Sequence, residues 1–317
     1  MLWNNDIHVK KINFTCIFIN IVSFRRTVPV VVPRAYTLNS KTYDYWINKI
    51  ELTKTPITSK REIIHPNMDV QILSFLVGLI DGDGYIQIKK RSNGFIEFNL
   101  VITFNNRDIT TFEHILGKLH FGVIAKIDSN LSKLVIYQFE LKYILVPLLL
   151  KHGLFFLTEN RINQYNLLLY TLENNIKKWE LLPNAIPNYS PLVLNNPENI
   201  RNIWYFKDWF VGFVVAEGSF FIQANKEICF SIGQKGNSAL MNAIYLLFEP
   251  SRALNYIKKN DISLVRMASV KDIQKVINFF SFENHHPLIG YKKDSYIIWL
   301  KALKESNRYK NLKFPID

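Results

Sequence analysis

Apolar positions along this chain fall into two rhythms, and the pair of rhythms occurs twice. Residues 73–80 are apolar almost without a break, and a helix that is apolar all round is one that is buried all round. Directly after it, in Tyr85-Ile-Gln-Ile-Lys89, polar and apolar residues alternate, so Ile86 and Ile88 face one way and Tyr85, Gln87 and Lys89 the other. Period two marks a strand with one dry and one wet face. The succession returns as an apolar run over 209–215 and then Ser219-Phe-Phe-Ile-Gln223, with Phe220 and Ile222 opposing Ser219, Phe221 and Gln223. Asn67 is the expected N-cap of the first helix, with Asp69 in its first turn and the helix ending near Ile80.

The two runs are copies. Leu76-Val-Gly-Leu-Ile-Asp-Gly-Asp-Gly84 and Phe210-Val-Gly-Phe-Val-Val-Ala-Glu-Gly218 share a register offset by 134 residues. Second strands follow, in which Phe98, Leu100 and Ile102 match Phe230 and Ile232 at an offset near 130. Further on, Arg161 and Tyr165 match Lys292 and Tyr296 at an offset of 131, each pair leading into an apolar helical stretch, 167–172 and 297–303. Three offsets this close together identify an internal duplication. Candidate third and fourth strands are 123–127 with 134–139 and 253–257 with 264–267, and Gly117 and Gly122 punctuate the approach to the first pair. Each half therefore reads helix, two strands, helix, two strands, helix. The expected fold is α+β: two pseudo-twofold αββαββα halves, each with a mainly antiparallel sheet, and the motif helices at the domain interface. The halves are placed at residues 66–179 and 203–317. Pro183, Pro187, Pro191 and Pro197 make 180–202 an interdomain linker, since prolines so dense continue neither a helix nor a central strand.

Charge narrows the function. Lys and Arg number 39 against 26 Asp and Glu, a formal net charge of +13. A polyanionic partner is implied, nucleic acid first and a membrane surface second. A hydrophobic content of 48% excludes wholesale disorder. No apolar run reaches membrane-spanning length, the longest candidate at 12–32 being interrupted by Arg25, Arg26 and Pro29. Two cysteines, Cys16 and Cys229, make neither a disulfide framework nor a CxxC metal knuckle. The opening forty residues carry Lys10, Lys11, Arg25, Arg26 and Arg34 against Asp6 alone. Residues 1–65 are accordingly read either as a transit peptide or as an upstream extension outside the core. A lean towards Asn, Ile, Lys, Phe and Tyr, residues with AT-rich codons, points to an organelle genome.

The chemistry sits at the ends of the repeated helices. Gly78 and Gly82 lie four apart, as do Gly212 and Ala216, and small residues at that spacing let two helix backbones approach closely. Helices crossing there bring their C-terminal ends together, with Asp83 and Glu217 side by side. Two carboxylates at helix C-termini repel each other and the helix dipoles, so the arrangement makes sense when a hard cation, Mg²⁺ or Mn²⁺, joins them to substrate phosphate oxygens. One Asp-Gly after an apolar helix is an ordinary turn signal; two copies, each with an acid before glycine and a strand after it, make a site. Asp81 has Val215 as its counterpart and is assigned to capping or packing.

These nine-residue segments resemble the signature of the LAGLIDADG homing endonucleases. Leu76, Gly78, Leu79, Ile80, Asp81, Asp83 and Gly84 match that motif literally, and the second copy keeps Gly212 and Gly218 with Glu217 as its acid. The similarity covers about 67–315, and the closing Pro287-Leu-Ile-Gly-Tyr-Lys-Lys293, with Tyr296, Trp299 and Leu300, looks like fungal mitochondrial intron-encoded members. The resemblance implies a monomer that binds double-stranded DNA across a saddle of two sheets, with Asp83 and Glu217 as metal ligands, and cuts both strands to leave short 3′ overhangs. It further implies catalytic roles for Gln234, Arg161 and Lys292 around the metal. Gln87, Lys89, Arg91 and Asn99 in the first half and Gln223, Asn225 and Lys226 in the second become the expected DNA readers. Three rivals stand beside this reading: an RNA maturase binding its own group I intron, a catalytically silent DNA-binding relative, and a membrane-surface protein.

Overall fold

The computed structural model describes residues 68–316. The extension 1–65, Cys16 and Asn67 lie outside the described residues.

Helix α1 (Val70–Asp83) begins at Asp69, whose carboxylate accepts from the Gln71 amide at 2.9 Å. The expected cap at Asn67 and end at Ile80 are both displaced: α1 runs on through Asp81, Gly82 and Asp83. Its twin α6 (Phe206–Glu217) likewise outruns the expected 209–215 at both ends. The extension follows from packing, because an apolar surface on every side of α1 places Leu73, Phe75, Leu76, Val77 and Ile80 at 0% exposure against neighbours that hold the helix to its last turn. Each helix passes straight into a strand. A Cβ at Gly84 would lie 2.7 Å from the Ile80 Cα, and one at Gly218 2.6 Å from the Val214 Cγ1. The glycine closing each motif is therefore required by the sharpness of the exit.

In the first half, β1 (Gly84–Lys90) and β2 (Ile96–Asn105) lead to α2 (Ile109–Leu119), β3 (Val123–Lys126) and β4 (Leu131–Tyr137). In the second, β5 (Gly218–Ile222) and β6 (Ile228–Lys235) lead to α7 (Ser238–Phe248), β7 (Asn255–Ile257) and β8 (Ile262–Met267). Both sheets are wholly antiparallel and have the same order, β1-β2-β4-β3 and β5-β6-β8-β7. Ile86, Phe98, Leu100 and Ile102 are buried on the dry face of the first sheet, as are Phe230 and Ile232 in the second. Phe220 packs with Phe230, Phe280, Tyr296 and Trp299. Ile222, expected on the same dry face, is instead 50% exposed, because β5 ends there and the core does not reach it.

Each half carries one helix more than the pattern gave. In the first, a helical turn Gln138–Glu140 and a π-helical stretch Leu141–Leu145 lead into α3 (Val146–Lys151) before the closing helix α4 (Glu159–Glu173). In the second, α8 (Val270–Phe282) precedes the closing α9 (Gly290–Glu305). The halves are thus αββαββαα. The proline-rich stretch contains its own short helix α5 (Pro197–Arg201), started by Pro197 behind an Asn196 cap. It is also tied to the first half through Asn166, whose Nδ2 donates to Asn188 Oδ1 at 3.1 Å and whose Oδ1 accepts from Tyr189 N at 3.0 Å.

Helices α1 and α6 cross at two glycines. A Cβ at Gly78 would stand 1.8 Å from the Trp209 carbonyl oxygen, and one at Gly212 1.9 Å from that of Phe75. Backbone meets backbone in both directions, so nothing flexible can yield. Gly117, by contrast, lies within α2 with nothing within 4 Å of a built Cβ. Gly212→Ala is expected to destabilise the protein by about 1–3 kcal/mol or more through overpacking, and Gly117→Ala to stabilise it by about 0.4–1 kcal/mol. Urea unfolding of the two variants checks both signs.

Candidate active site

Asp83 and Glu217 are the last residues of the two crossing helices, immediately before the strands that open the two sheets. Below the glycine crossing the helices remain close: a Cβ at Gly82 would lie 2.3 Å from the Ala216 Cβ and 3.3 Å from the Glu217 Cγ. Glu217 is half-buried and Asp83 reaches the surface. Even so, removal of water by the surrounding protein is the largest influence on each, pushing both carboxyls above the usual range. For Glu217 the next cause is repulsion from Asp83. The second influence on Asp83 is the Lys292 cation, which lowers it, followed by Asp108, which raises it.

Lys292 enters from the first turn of α9, where its ammonium donates to the Gly218 carbonyl at 2.5 Å. Burial depresses its pKa, while Asp108, Asp83 and Glu217 pull it upward and Arg107 pushes it down. The N-terminus of α9 reaches this place by docking on the opposite half. Gly290 has φ +57° and lies against Thr111, where a Cβ would meet the hydroxyl oxygen at 1.5 Å. Arg107 covers the Tyr291 ring at 4.0 Å. The pseudo-symmetric contact joins α4 to the second half, with Glu159 N donating to Asn237 Oδ1 at 2.8 Å.

Arg161, the counterpart of Lys292, is placed differently. It donates to Gln164 Oε1 at 2.6 Å, and that oxygen also accepts from Ile86 N at 2.9 Å. The carboxylate acting on it is Asp81. Gln234 lies near the end of β6, half-buried and opposite Ser263, in the strand phase of Phe230 and Ile232. Its counterpart Phe104 is buried and stacked on Phe112. Asp108, from the turn after β2, is a charged neighbour of this group that sequence reasoning passed over; only its place directly after a second strand could have signalled it.

Asp81 has a separate task. It is 1% exposed and accepts from Leu157 N at 2.8 Å, Thr158 N at 3.0 Å, Thr158 Oγ1 at 2.5 Å and Trp209 Nε1 at 2.7 Å. One carboxylate thus ties α1 to the turn that starts α4 and to the opposite motif helix. The role is packing and capping.

The expected DNA readers occupy the wet faces and hairpins of the sheets. Gln87 faces Asn99 across β1 and β2, but Asn99 is only 6% exposed and donates to Glu97 Oε1 at 2.8 Å. Lys89 and Arg91 also engage Glu97, at 3.4 Å and 2.7 Å. Gln223 donates to Glu227 Oε2 at 2.7 Å. Asn225 and Lys226 form the exposed β5–β6 turn, Asn225 accepting from Glu227 N at 3.0 Å and Lys226 holding φ +64°. Sequence reasoning missed the two glutamates that gather these side chains, together with Arg252, Arg266 and Arg308 around Glu227.

The donor set suits a hard cation, being carboxylate oxygen without thiolate or imidazole. Among the described residues no group of three or more His, Cys, Asp and Glu encloses a metal. An ion held by Asp83 and Glu217 would complete its shell from elsewhere, as Mg²⁺ does with water and phosphate.

Taken together, fold and site define a duplicated α+β protein whose paired helices end in two acids where two open antiparallel sheets begin. A family model described as LAGLIDADG endonuclease matches residues 76–172 and 210–303. A "Probable intron-encoded endonuclease aI3" of Dictyostelium citrinum is 28% identical over 231 residues, covering 71% of this chain and 92% of the relative. An "Uncharacterized cox1 intron-2 37.2 kDa protein" of Schizosaccharomyces pombe is 27% identical, covering 80% of this chain and 73% of the relative. The solved structure of I-SmaMI bound to uncleaved DNA target in the presence of calcium ions shares the fold with a TM-score of 0.57 at 21% identity, over 74% of this chain and 92% of that one. The chain belongs to the LAGLIDADG endonuclease family.

Burial raises the Asp81 carboxyl from 3.8 to about 6 against the four donors that lower it. An acid that titrates higher in the folded state ionises at the expense of the fold. Its contribution is full below pH 3.8 and declines by about 3 kcal/mol as the pH rises through about 6. The stability difference between wild type and Asp81→Asn, from urea unfolding across this range, should therefore be largest below pH 4 and shrink towards neutrality. A difference independent of pH contradicts the assignment.

Proposed function

We propose that the protein is a site-specific homing endonuclease that hydrolyses both strands of a DNA duplex in a metal-dependent reaction, leaving short 3′ overhangs. The observation that carries this reading is the convergence of Asp83 and Glu217 beneath the helix crossing, with the Lys292 ammonium beside them. Asp83 and Glu217 would hold Mg²⁺ or Mn²⁺, which supplies Lewis-acid stabilisation to the attacking and leaving oxygens when bound. Lys292, held on the Gly218 carbonyl, is placed to donate to a phosphate oxygen. Gln234 is assigned to ordering the attacking water from the end of β6, and Arg161 to holding the first half's strand edge through Gln164. The wet faces of the two sheets form the saddle for the major groove, a net charge of +13 supplying the attraction to phosphate. One chain carries both halves, so the enzyme acts as a monomer.

The gene setting follows the relatives, which are described as intron-encoded. We place this protein likewise in a group I intron, with the mitochondrion as its site of action. Residues 66–179 and 203–317 are the two nuclease halves, and 180–202 connects them. No described helix is long and apolar enough to cross a membrane.

The test is plasmid cleavage on DNA carrying the joined, intron-free host sequence. Asp83→Asn and Glu217→Gln should each lower the cutting rate by about 10²-fold or more while duplex binding in EDTA is retained, and chelation should stop the wild type. Unchanged cutting by both variants would contradict the reading.

A further inference from the structure

Outside the acid pair, a charged cluster in the second half surrounds Glu227, just before β6. Three guanidinium groups converge on this one carboxylate: Arg252 at 3.2 Å, Arg266 at 3.4 Å and Arg308 at 3.9 Å. Gln223 adds a hydrogen bond of 2.7 Å. The Glu227 side chain is only 15% exposed. One negative charge cannot balance three positive ones, so the cluster keeps a surplus that an anionic surface would satisfy.

The three arginines differ in where they stand. Arg252 follows α7 and Arg308 follows α9, so both come from outside the sheet, and their side chains are 56% and 53% exposed. Arg266 belongs to β8, an interior strand of the sheet, where it lies opposite Ser231 of β6. Its side chain is 32% exposed, and its guanidinium also reaches the Cys229 sulfur at 3.6 Å and lies 5.8 Å from the centre of the Phe221 ring. Arg266 is therefore held from several sides on the wet face, whereas Arg252 and Arg308, tied to the same carboxylate, are more exposed and can turn outward to a backbone.

The first half repeats the device in weaker form. Glu97, at the position of Glu227 under the 130-residue offset, gathers Lys89, Arg91 and Asn99. The place of Arg266 is taken there by Val135, which pairs with Val101 and is 5% exposed. An organised arginine inside the sheet is particular to the second half.

We propose that Arg266 reads a guanine in the half of the target bound by the second sheet, and that Glu227 is the positioning residue that holds its guanidinium in register. Arginine matches the O6 and N7 acceptors of guanine with two parallel donors, and a fixed guanidinium plane loses little freedom in doing so. Arg252 and Arg308 contact phosphates flanking that base. The inference rests on the endonuclease reading and specifies how its second half recognises sequence.

Selection of duplexes from a randomised pool in EDTA tests it, with thermal melting run on every variant. The full-length wild type should select a site with a strong guanine preference at one position in one half. Glu227→Gln should weaken that preference about tenfold and leave the other half unchanged. Arg266→Lys, which keeps the charge but loses the fork, should do the same while folding normally. Arg252→Ala and Arg308→Ala should weaken binding to all sequences alike and lower the salt dependence by about one phosphate contact each. Base preferences left intact in both Glu227→Gln and Arg266→Lys would overturn the inference and leave the endonuclease reading standing. Losses spread evenly over both halves would overturn it too. A wild type that selects no sequence at all would remove the endonuclease reading itself.

Discussion

The crossing of two helix backbones governs the molecule. At Gly78 and Gly212 there is no room for even a methyl group, and the obstacle on each side is a peptide carbonyl. Helices that approach this closely have almost no freedom to slide or rotate, because each displacement drives backbone into backbone. Everything that follows each helix inherits its position: the acid one residue past the small pair, the glycine after the acid, and the strand that begins there. A contact with no chemistry of its own thereby fixes the relation between two carboxylates that repel each other. Folding accepts that repulsion because the apolar cores of both motif helices are buried.

Duplication supplies the frame, and departures from symmetry give each half its own character. Asp81 ties three elements together through four hydrogen bonds, while Val215 in its place needs no partner. Lys292 binds the Gly218 carbonyl and acts electrostatically on the acid pair, whereas Arg161 binds Gln164 and is acted on by Asp81. Asp108 stands near one side of the centre, and the corresponding turn of the second half presents Asn237 and Ser238. The closing helices α4 and α9 each start against the opposite half, so the interface does not rest on the motif helices alone. A symmetric backbone thus carries an asymmetric set of charges.

Much of this was legible in the residues, for identifiable reasons. Period-two alternation located β1 and β5, and the paired small residues located the crossing, because both signals are local and are written twice. The extra helices were harder to read. Pro147 interrupts the apolar run that becomes α3, and the helix takes it up directly after the π-helical stretch Leu141–Leu145. Helix α8 is amphipathic, but it falls between the repeated strand and helix segments. The end expected at Ile80 falls short because tertiary burial, and not local propensity, carries α1 to Asp83. The Glu227 cluster could not be read at all: its arginines come from β8, a loop and the tail beyond α9, and only the fold brings them together.

The central claim is that the crossing exists to place Asp83 and Glu217 around shared divalent cations. Anomalous scattering from crystals grown with a target duplex and Mn²⁺ addresses it directly. Manganese peaks within coordination distance of both carboxylates, with phosphate oxygens completing the shell, are the expected result. Ordered manganese bound elsewhere on the protein, with Asp83 and Glu217 bare, would contradict the account.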